Sequence, residues 1–565
     1  MTAAPRTATP DAPAPEPTVK SAWWIRHYTF TGTAVGLVFI WLSLTPSLLP
    51  RGPLFQGLVS GAAGGIGYGL GVFGVWLYRY MLSKDSTPAA PRRAWLILVV
   101  VGVLGQLAAI VYFHVWQDDI RDLMGVPRLG FWDHPLTAVL AIVFLFLFVE
   151  IGQLIGKLVR FLVRQLERVA PPRVSGVVAV VLVLALAIAL LNGIVARFAM
   201  TTINNTFENV NNETDPDNPA PTTVLRSGGP QSLVSWESLG HQGRNFVAGG
   251  PTVDELTEFN GAPATEPIRA YAGLNSADGI KATAKLAAKE LRRTGGLDRE
   301  VIGIATTTGT GWINEAEASS LEYMYNGDTA LVSMQYSFLP SWISFLVDQE
   351  NALQAGQALF EAVDAMVREL PENDRPKVVV FGESLGSFGG EAPFLALNNL
   401  IARTDGALFS GPTFKNDIWT SLTINRDEGS PQWLPIFDEG ENVRFAARPE
   451  NLGRPDDPWG SPRVVYLQHA SDPISWWNPD LLFAKPDWLR EARGYDVSPR
   501  MEWIPVVTFL QVSADMAVAV DVPDGHGHVY VRDVANAWAA ILRPPGWTAE
   551  KTERLRPNLR SDENS

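Results

Sequence analysis

The chain has 565 residues, 47 % of them hydrophobic and 18 % charged, a mixture that predicts a membrane part joined to a soluble part. A formal net charge of −14 argues against nucleic acid as a partner, because phosphate backbones call for basic surface. The absence of cysteine excludes disulfides, thiolate catalysis and Cys-ligated zinc.

Residues 1–27 begin Pro/Ala-rich with no apolar core, which predicts a disordered tail rather than a cleavable signal peptide. Apolar runs near 28–48, 55–80, 94–116, 136–157 and 174–197 have membrane-spanning length, so 28–200 reads as an all-α transmembrane bundle of about five helices. The second run, "GAAGGIGYGLGVFG", is glycine-rich and predicts close packing against a neighbour. Arg79, Lys84, Arg92 and Arg93 crowd the loop between runs two and three. Lys157, Arg160, Arg164, Arg168 and Arg173 crowd the loop between runs four and five. The other two loops hold Arg51, and Arg121 and Arg128 beside Asp118, Asp119, Asp122 and Asp133. Basic loops face the cytoplasm, so the C-terminal part is expected on the extracytoplasmic side of a multi-pass protein. Glu150 lies inside the fourth run, where a carboxyl is either a functional group or a bundle hydrogen-bonding partner.

Residues 201–232 are Asn-, Thr- and Pro-rich without periodicity and read as a linker. From 233 to 545 short β-branched runs alternate with helical patterns. Strands are predicted over 266–274, 329–337, 377–382, 406–412 and 463–469, and 300–312 reads as a strand entering a Thr/Gly loop. Helices are predicted over 276–295, with Ser276 as N-cap, and over 342–369. This alternation implies an α/β domain, a mostly parallel sheet with helices on both faces. Residues 546–565 read as a disordered C-terminal tail.

The chemistry concentrates in "VVVFGESLGSFGG", 378–390, an apolar strand running into G-x-S-x-G. In a chain with 49 glycines, chance alone supplies about 0.3 such matches, so the motif gains weight only from its place between a strand and a helix. There the glycines permit a sharp turn that exposes Ser384, and the helix start offers N–H groups to a developing oxyanion. The competing reading is an ordinary turn with a capping serine.

A serine nucleophile needs a base, and the base an orienting acid, in the chain order Ser, Asp/Glu, His. His241 precedes the serine, and His469 falls within a strand. His526 and His528 remain, in "DVPDGHGHVY", with His528 preferred for its place after Gly527 and before apolar residues. The H-x-H pair beside Asp524 could also suggest a metal, but no further carboxylate/His cluster supports one, so neither metal nor organic cofactor is expected. Asp472 directly follows the strand "RVVYLQH" and is the expected acid; Asp405 and Asp417 are less well placed. The oxyanion donors expected are the N–H of Leu385 and one from "ATTTGTGW", among Thr308, Gly309 and Thr310. Trp342, Trp476, Trp477 and Trp488 are either core residues or the lining of an acyl pocket or bilayer contact.

With those residues placed, the chain resembles a membrane-associated α/β-hydrolase family of actinobacteria, with a multi-span N-terminus and a C-terminal hydrolase domain. The resemblance rests on "SLTPSLLPRGP", "GRNFVAGGP", "ATTTGTGW", "SMQYSFLPSWISFLVD", "VFGESLGSFGGEA", "PWGSPRVVYLQHASDPISWW" and "GHGHVY". It implies an α/β-hydrolase fold and serine-based hydrolase chemistry, and names no substrate. The expectation is a membrane-anchored serine esterase, lipase or thioesterase whose location favours a lipid or lipid-linked ester. The alternatives are a cell-envelope acyltransferase with the same triad, or a non-catalytic membrane scaffold of hydrolase fold.

Overall fold

The computed structural model describes residues 28–84, 89–189, 207, 210–216, 218–339, 344–345 and 348–560. The N-terminal tail through residue 27 and Trp342 lie outside the described residues.

Among the described residues, five N-terminal helices overlap the five apolar runs: α1 (Phe30–Ser43), α2 (Pro53–Met81), α3 (Arg92–Met124), α4 (Asp133–Leu166) and α5 (Pro172–Ala189). Three of them, α2, α3 and α4, are long and apolar enough to cross a membrane. Their apolar side chains turn outward, with Leu104 and Val111 both 62 % exposed, the reverse of a water-soluble bundle. Small residues make the contacts instead. A Cβ at Gly57 or Gly61 would lie within 2.5 Å of the Cβ of Leu140 or Phe144, so the glycine face of α2 lets α4 approach its backbone. Glu150 on α4 accepts a hydrogen bond from the Tyr28 hydroxyl at 2.9 Å, a partner within the bundle.

The C-terminal domain is built on a seven-stranded sheet, β1 (Ile268–Ala272), β2 (Val301–Ala305), β3 (Thr329–Met334), β4 (Lys377–Glu383), β5 (Gly406–Ser410), β6 (Val443–Ala446) and β7 (Arg463–Leu467). The order is β1-β3-β2-β4-β5-β7-β6 and every pairing is parallel. The strands are buried almost throughout, as expected when both faces are covered. Strand β6 has only four residues, "VRFA", too short for its pattern to stand out in the sequence.

Helices α6 (Ile280–Arg293), α7 (Glu315–Met324), α8 (Gln349–Arg368), α9 (Leu385–Glu391), α10 (Val507–Asp515) and α11 (Asp533–Leu542) surround the sheet and its edge. Ser276 does not cap α6. Gly279 holds that position, and the Ser276 hydroxyl instead accepts the Gly273 N–H at 3.0 Å. The end of the expected linker is also ordered by the sheet: Ser227 N–H bonds the Arg269 carbonyl at 3.1 Å, and Arg226 donates to the Val247 carbonyl at 2.8 Å. The expected C-terminal tail likewise contains a helix, α12 (Ala549–Leu555), because Leu555 is buried and Trp547 stacks on Phe259 at 5.9 Å.

One buried ion cluster and one buried carboxyl tie α7 to the sheet. Arg269 on β1 is fully buried and donates to Glu315 and Glu322 on α7 at 2.6 to 2.8 Å. Glu317, also on α7, is fully buried and accepts one hydrogen bond from Ser410 at 2.6 Å. Burial pushes its carboxyl up to about 8. The folded state therefore holds this proton more tightly than the unfolded chain. Its contribution is complete below about pH 4.5 and is lost as pH rises through about 8. Glu317→Gln is expected to remove part of the fall in thermal midpoint between about pH 4.5 and 8, measured by tryptophan fluorescence of the detergent-solubilised protein.

Candidate functional site

The site forms at the carboxyl edge of the sheet, where the chain departs from neighbouring β2 and β4 in opposite directions. Such a switch point leaves a crevice outside the strand ends. Ser384 sits between β4 and α9 with φ 56° and ψ −119°, a conformation rarely adopted by a residue with a side chain. The neighbouring glycines make the turn possible. A Cβ at Gly386 would lie 2.3 Å from the Thr306 carbonyl oxygen, and one at Gly382 would lie 2.6 Å from the Gly386 backbone. The Ser384 N–H is held by the Ser410 carbonyl at 2.9 Å, at the end of β5.

Asp472 follows β7 and is fully buried. It caps the short helix Pro473–Trp476 by accepting the Ile474 N–H at 2.8 Å. It also accepts from Ser475 at 3.2 Å, and it lies 2.7 Å from His528 Nδ1. A carboxylate beside Nδ1 favours the tautomer with its proton there, which leaves Nε2 as the basic ring position. Of the two histidines, then, His528 is the one bonded to Asp472. His526 lies 3.4 Å from Asp496 and is not brought to Asp472.

Ser384 and His528 border on consecutive residues, Ser410 and Gly411. Ser384 is bonded to Ser410, and the next residue, Gly411, has φ 53° and would place a Cβ 2.4 Å from His528 Cε1. Only a residue without a side chain lets the ring lie there. Among the described residues, no group of three or more His, Asp or Glu residues has a metal-holding arrangement.

The loop after β2 reaches the turn at Ser384, and of its expected donors one is already engaged. The Thr308 N–H is used within its own turn, bonding the Trp312 carbonyl at 2.9 Å, so Thr308 is not a backbone oxyanion donor. Its hydroxyl lies 3.4 Å from that of Thr310. Gly309 is packed against Ser344 and the Leu339 carbonyl. Leu385 is the first residue of α9, where an N–H has no intrahelical acceptor.

Several residues around the site went unread in the sequence. The Tyr530 hydroxyl donates to Asp472 at 2.8 Å and accepts the His469 N–H at 3.1 Å, so one ring ties the acid to β7. His469 stacks on that ring at 4.2 Å, and its Nδ1 lies 2.9 Å from the Gly527 carbonyl. Asn314 donates to Glu383 at 2.5 Å and to the Tyr530 carbonyl at 2.7 Å, linking the strand before Ser384 to the histidine loop. Tyr530 closes the "GHGHVY" stretch, a signal available in the sequence; Asn314 carried none beyond its place before a helix. Trp476 and Trp488 are buried core residues, while Trp477 donates to Ser513 on α10 at 2.8 Å.

Two family models match the chain. One, described as the N-terminus of an alpha/beta-hydrolase family, matches residues 44–251. The other, described as the alpha/beta-hydrolase family, matches residues 268–555 and so contains every strand and every site residue above. No curated protein and no solved structure matches. Because the second model alone spans just over half of the chain, and the parallel sheet with its serine turn occupies that span, the chain belongs to the alpha/beta-hydrolase family.

Proposed function

We propose that the protein is a membrane-anchored serine hydrolase acting on esters or thioesters through Ser384, His528 and Asp472. The observation that carries this reading is the 2.7 Å contact between His528 Nδ1 and fully buried Asp472, formed next to a strained serine. In this mechanism Nε2 of His528 takes the Ser384 proton as Oγ attacks the acyl carbonyl, and later returns it to the leaving group. Asp472, held by Tyr530, Ser475 and Ile474, fixes the imidazole tautomer and balances the imidazolium. The Leu385 N–H and the backbone N–H of Gly309 or Thr310 are the donors assigned to the developing oxyanion, since that of Thr308 is bonded within its turn. Water then deacylates the serine.

The bundle favours a lipid or lipid-linked ester as substrate, since it keeps the site beside a bilayer. The orientation follows from loop charge and from packing. Loop 44–52 and the end of α3 pack against the catalytic domain, whereas Arg79, Arg92 and Arg93 lie at the opposite ends of α2 and α3. That supports a catalytic domain on the extracytoplasmic side.

A fluorophosphonate probe is expected to label the solubilised full-length protein, and Ser384→Ala should abolish labelling. Asp472→Asn should slow ester turnover by about 10⁴-fold, because the imidazole loses its tautomer partner. Gly411→Ala should lower turnover with a smaller change in KM, because its new methyl group displaces the imidazole; unchanged turnover would remove His528 from the mechanism. Labelling that survives Ser384→Ala would remove Ser384.

For topology, the cysteine-free background allows single exposed cysteines to be read directly. An impermeant maleimide on intact cells should label Asp278→Cys and leave Arg168→Cys unlabelled until the cells are lysed. The opposite pattern would place the catalytic domain inside.

A further inference from the structure

The bundle does more than sit beside the catalytic domain. The loop between α1 and α2 enters it, and Ser47, Leu48, Leu49 and Arg51 are all fully buried. Leu48 and Leu49 belong to the same apolar cluster as Val518, Ala519 and Val522, the segment that leads into the histidine loop. Three contacts define the junction. Asp515, at the end of α10, accepts hydrogen bonds from the Ser47 hydroxyl and from the Leu48 N–H. Arg51 Nε lies 3.5 Å from the other oxygen of the same carboxylate. Gln511, one turn earlier on α10, donates to the Ser43 and Thr45 carbonyls at 3.1 and 2.8 Å.

The path from this junction to the imidazole is short. Met516–Val518 form a single turn after Asp515, and the next carbonyl, that of Ala519, accepts the His528 N–H at 2.8 Å. The loop is also touched directly: Leu49 Cδ2 lies 3.5 Å from where a Gly527 side chain would begin. On its other side the Gly527 carbonyl is held by His469. Gly527 thus lies between His469, just after β7, and Leu49 of the bundle. Arg51 is a poor choice for stability alone. Its Nη1 and Nη2 have no hydrogen-bond acceptor among the described residues, and a buried ion pair of this kind is commonly no better than an apolar pair of equal volume.

We propose that residues 47–51 of the bundle are a positioning element of the hydrolase site. Leu49, together with Arg51 acting through Asp515, holds the 519–528 segment so that the His528 imidazole stays on Asp472. The inference rests on the serine-hydrolase reading. It adds that the catalytic domain reaches full reactivity only when seated on a folded bundle, which ties catalysis to the membrane-inserted state. None of these residues touches substrate; their effect is on the base.

The test uses the full-length protein in detergent or nanodiscs and the rate constant for fluorophosphonate labelling, measured from about pH 5 to 9 so that the titration of the base is visible. Leu49→Ala and Arg51→Gln should each slow labelling of the folded protein by about tenfold or more, since small misplacements of a reacting group cost that much, and should displace the pH midpoint. Leu49→Val, a milder truncation that keeps the fold, should show a smaller change in the same direction. Arg51→Lys should recover most of the rate. Leu54→Ala, at an exposed position at the start of α2, should behave as the unmutated protein.

Folded fraction is followed in parallel by tryptophan fluorescence. Variants whose folded fraction labels at the unmutated rate with an unchanged midpoint would overturn the proposal while leaving Ser384 as nucleophile. No labelling of the unmutated protein would overturn the hydrolase reading itself, and the positioning role with it.

Discussion

Everything in the site depends on one turn. At Ser384 the backbone must pass from the central strand into a helix at φ 56°, and it can do so only because Gly382 and Gly386 let the Thr306 carbonyl come close. That close packing ties β4 to the β2 loop and sets the serine above the sheet edge. The strain is tolerated because the surroundings over-determine it: the Ser384 N–H is held by β5, and Ser387 donates to the Ser384 carbonyl at 2.7 Å.

Around that turn the remaining groups are placed by different parts of the chain. β7 delivers Asp472, the segment after α10 delivers His528, and Asn314 at the start of α7 bonds to both Glu383 and Tyr530. Each side chain is fixed by at least one neighbour that is itself buried, which is what preorganised chemistry needs. Buried acids nearby are retained where they serve as hydrogen-bond hubs. Glu391 on α9 accepts from Tyr466, Asn416 and the Ile418 N–H, and burial raises its carboxyl to about 7. It braces the helix that follows the serine.

Much of this was legible before any coordinates. The strands stood out because fully buried parallel strands are continuous β-branched runs, and β4 and β7 matched almost residue for residue. The serine, Asp472 and the histidine pair were legible because their chain order and their positions after strands are local features. β6 was missed for its four residues. The linker and the C-terminal tail misled for a different reason. Polar composition marks surface, yet Arg226, Ser227 and Leu555 find partners far away in sequence. Ser276 had the composition of an N-cap and was drawn instead into the turn at Gly273.

By itself the sequence determined the two-part architecture, the apolar helices, the parallel α/β sheet and the set of residues able to carry serine chemistry. These follow from periodicity, composition and chain order, all properties of neighbouring residues. Only the tertiary structure set His528 rather than His526 on Asp472, engaged the Thr308 N–H within its own turn, and placed Tyr530, Asn314 and Gly411 around them. Those outcomes depend on which atoms come within about 3 Å of one another in the folded chain, and the direction of a hydrogen bond at that range is set by packing rather than by spacing in the chain.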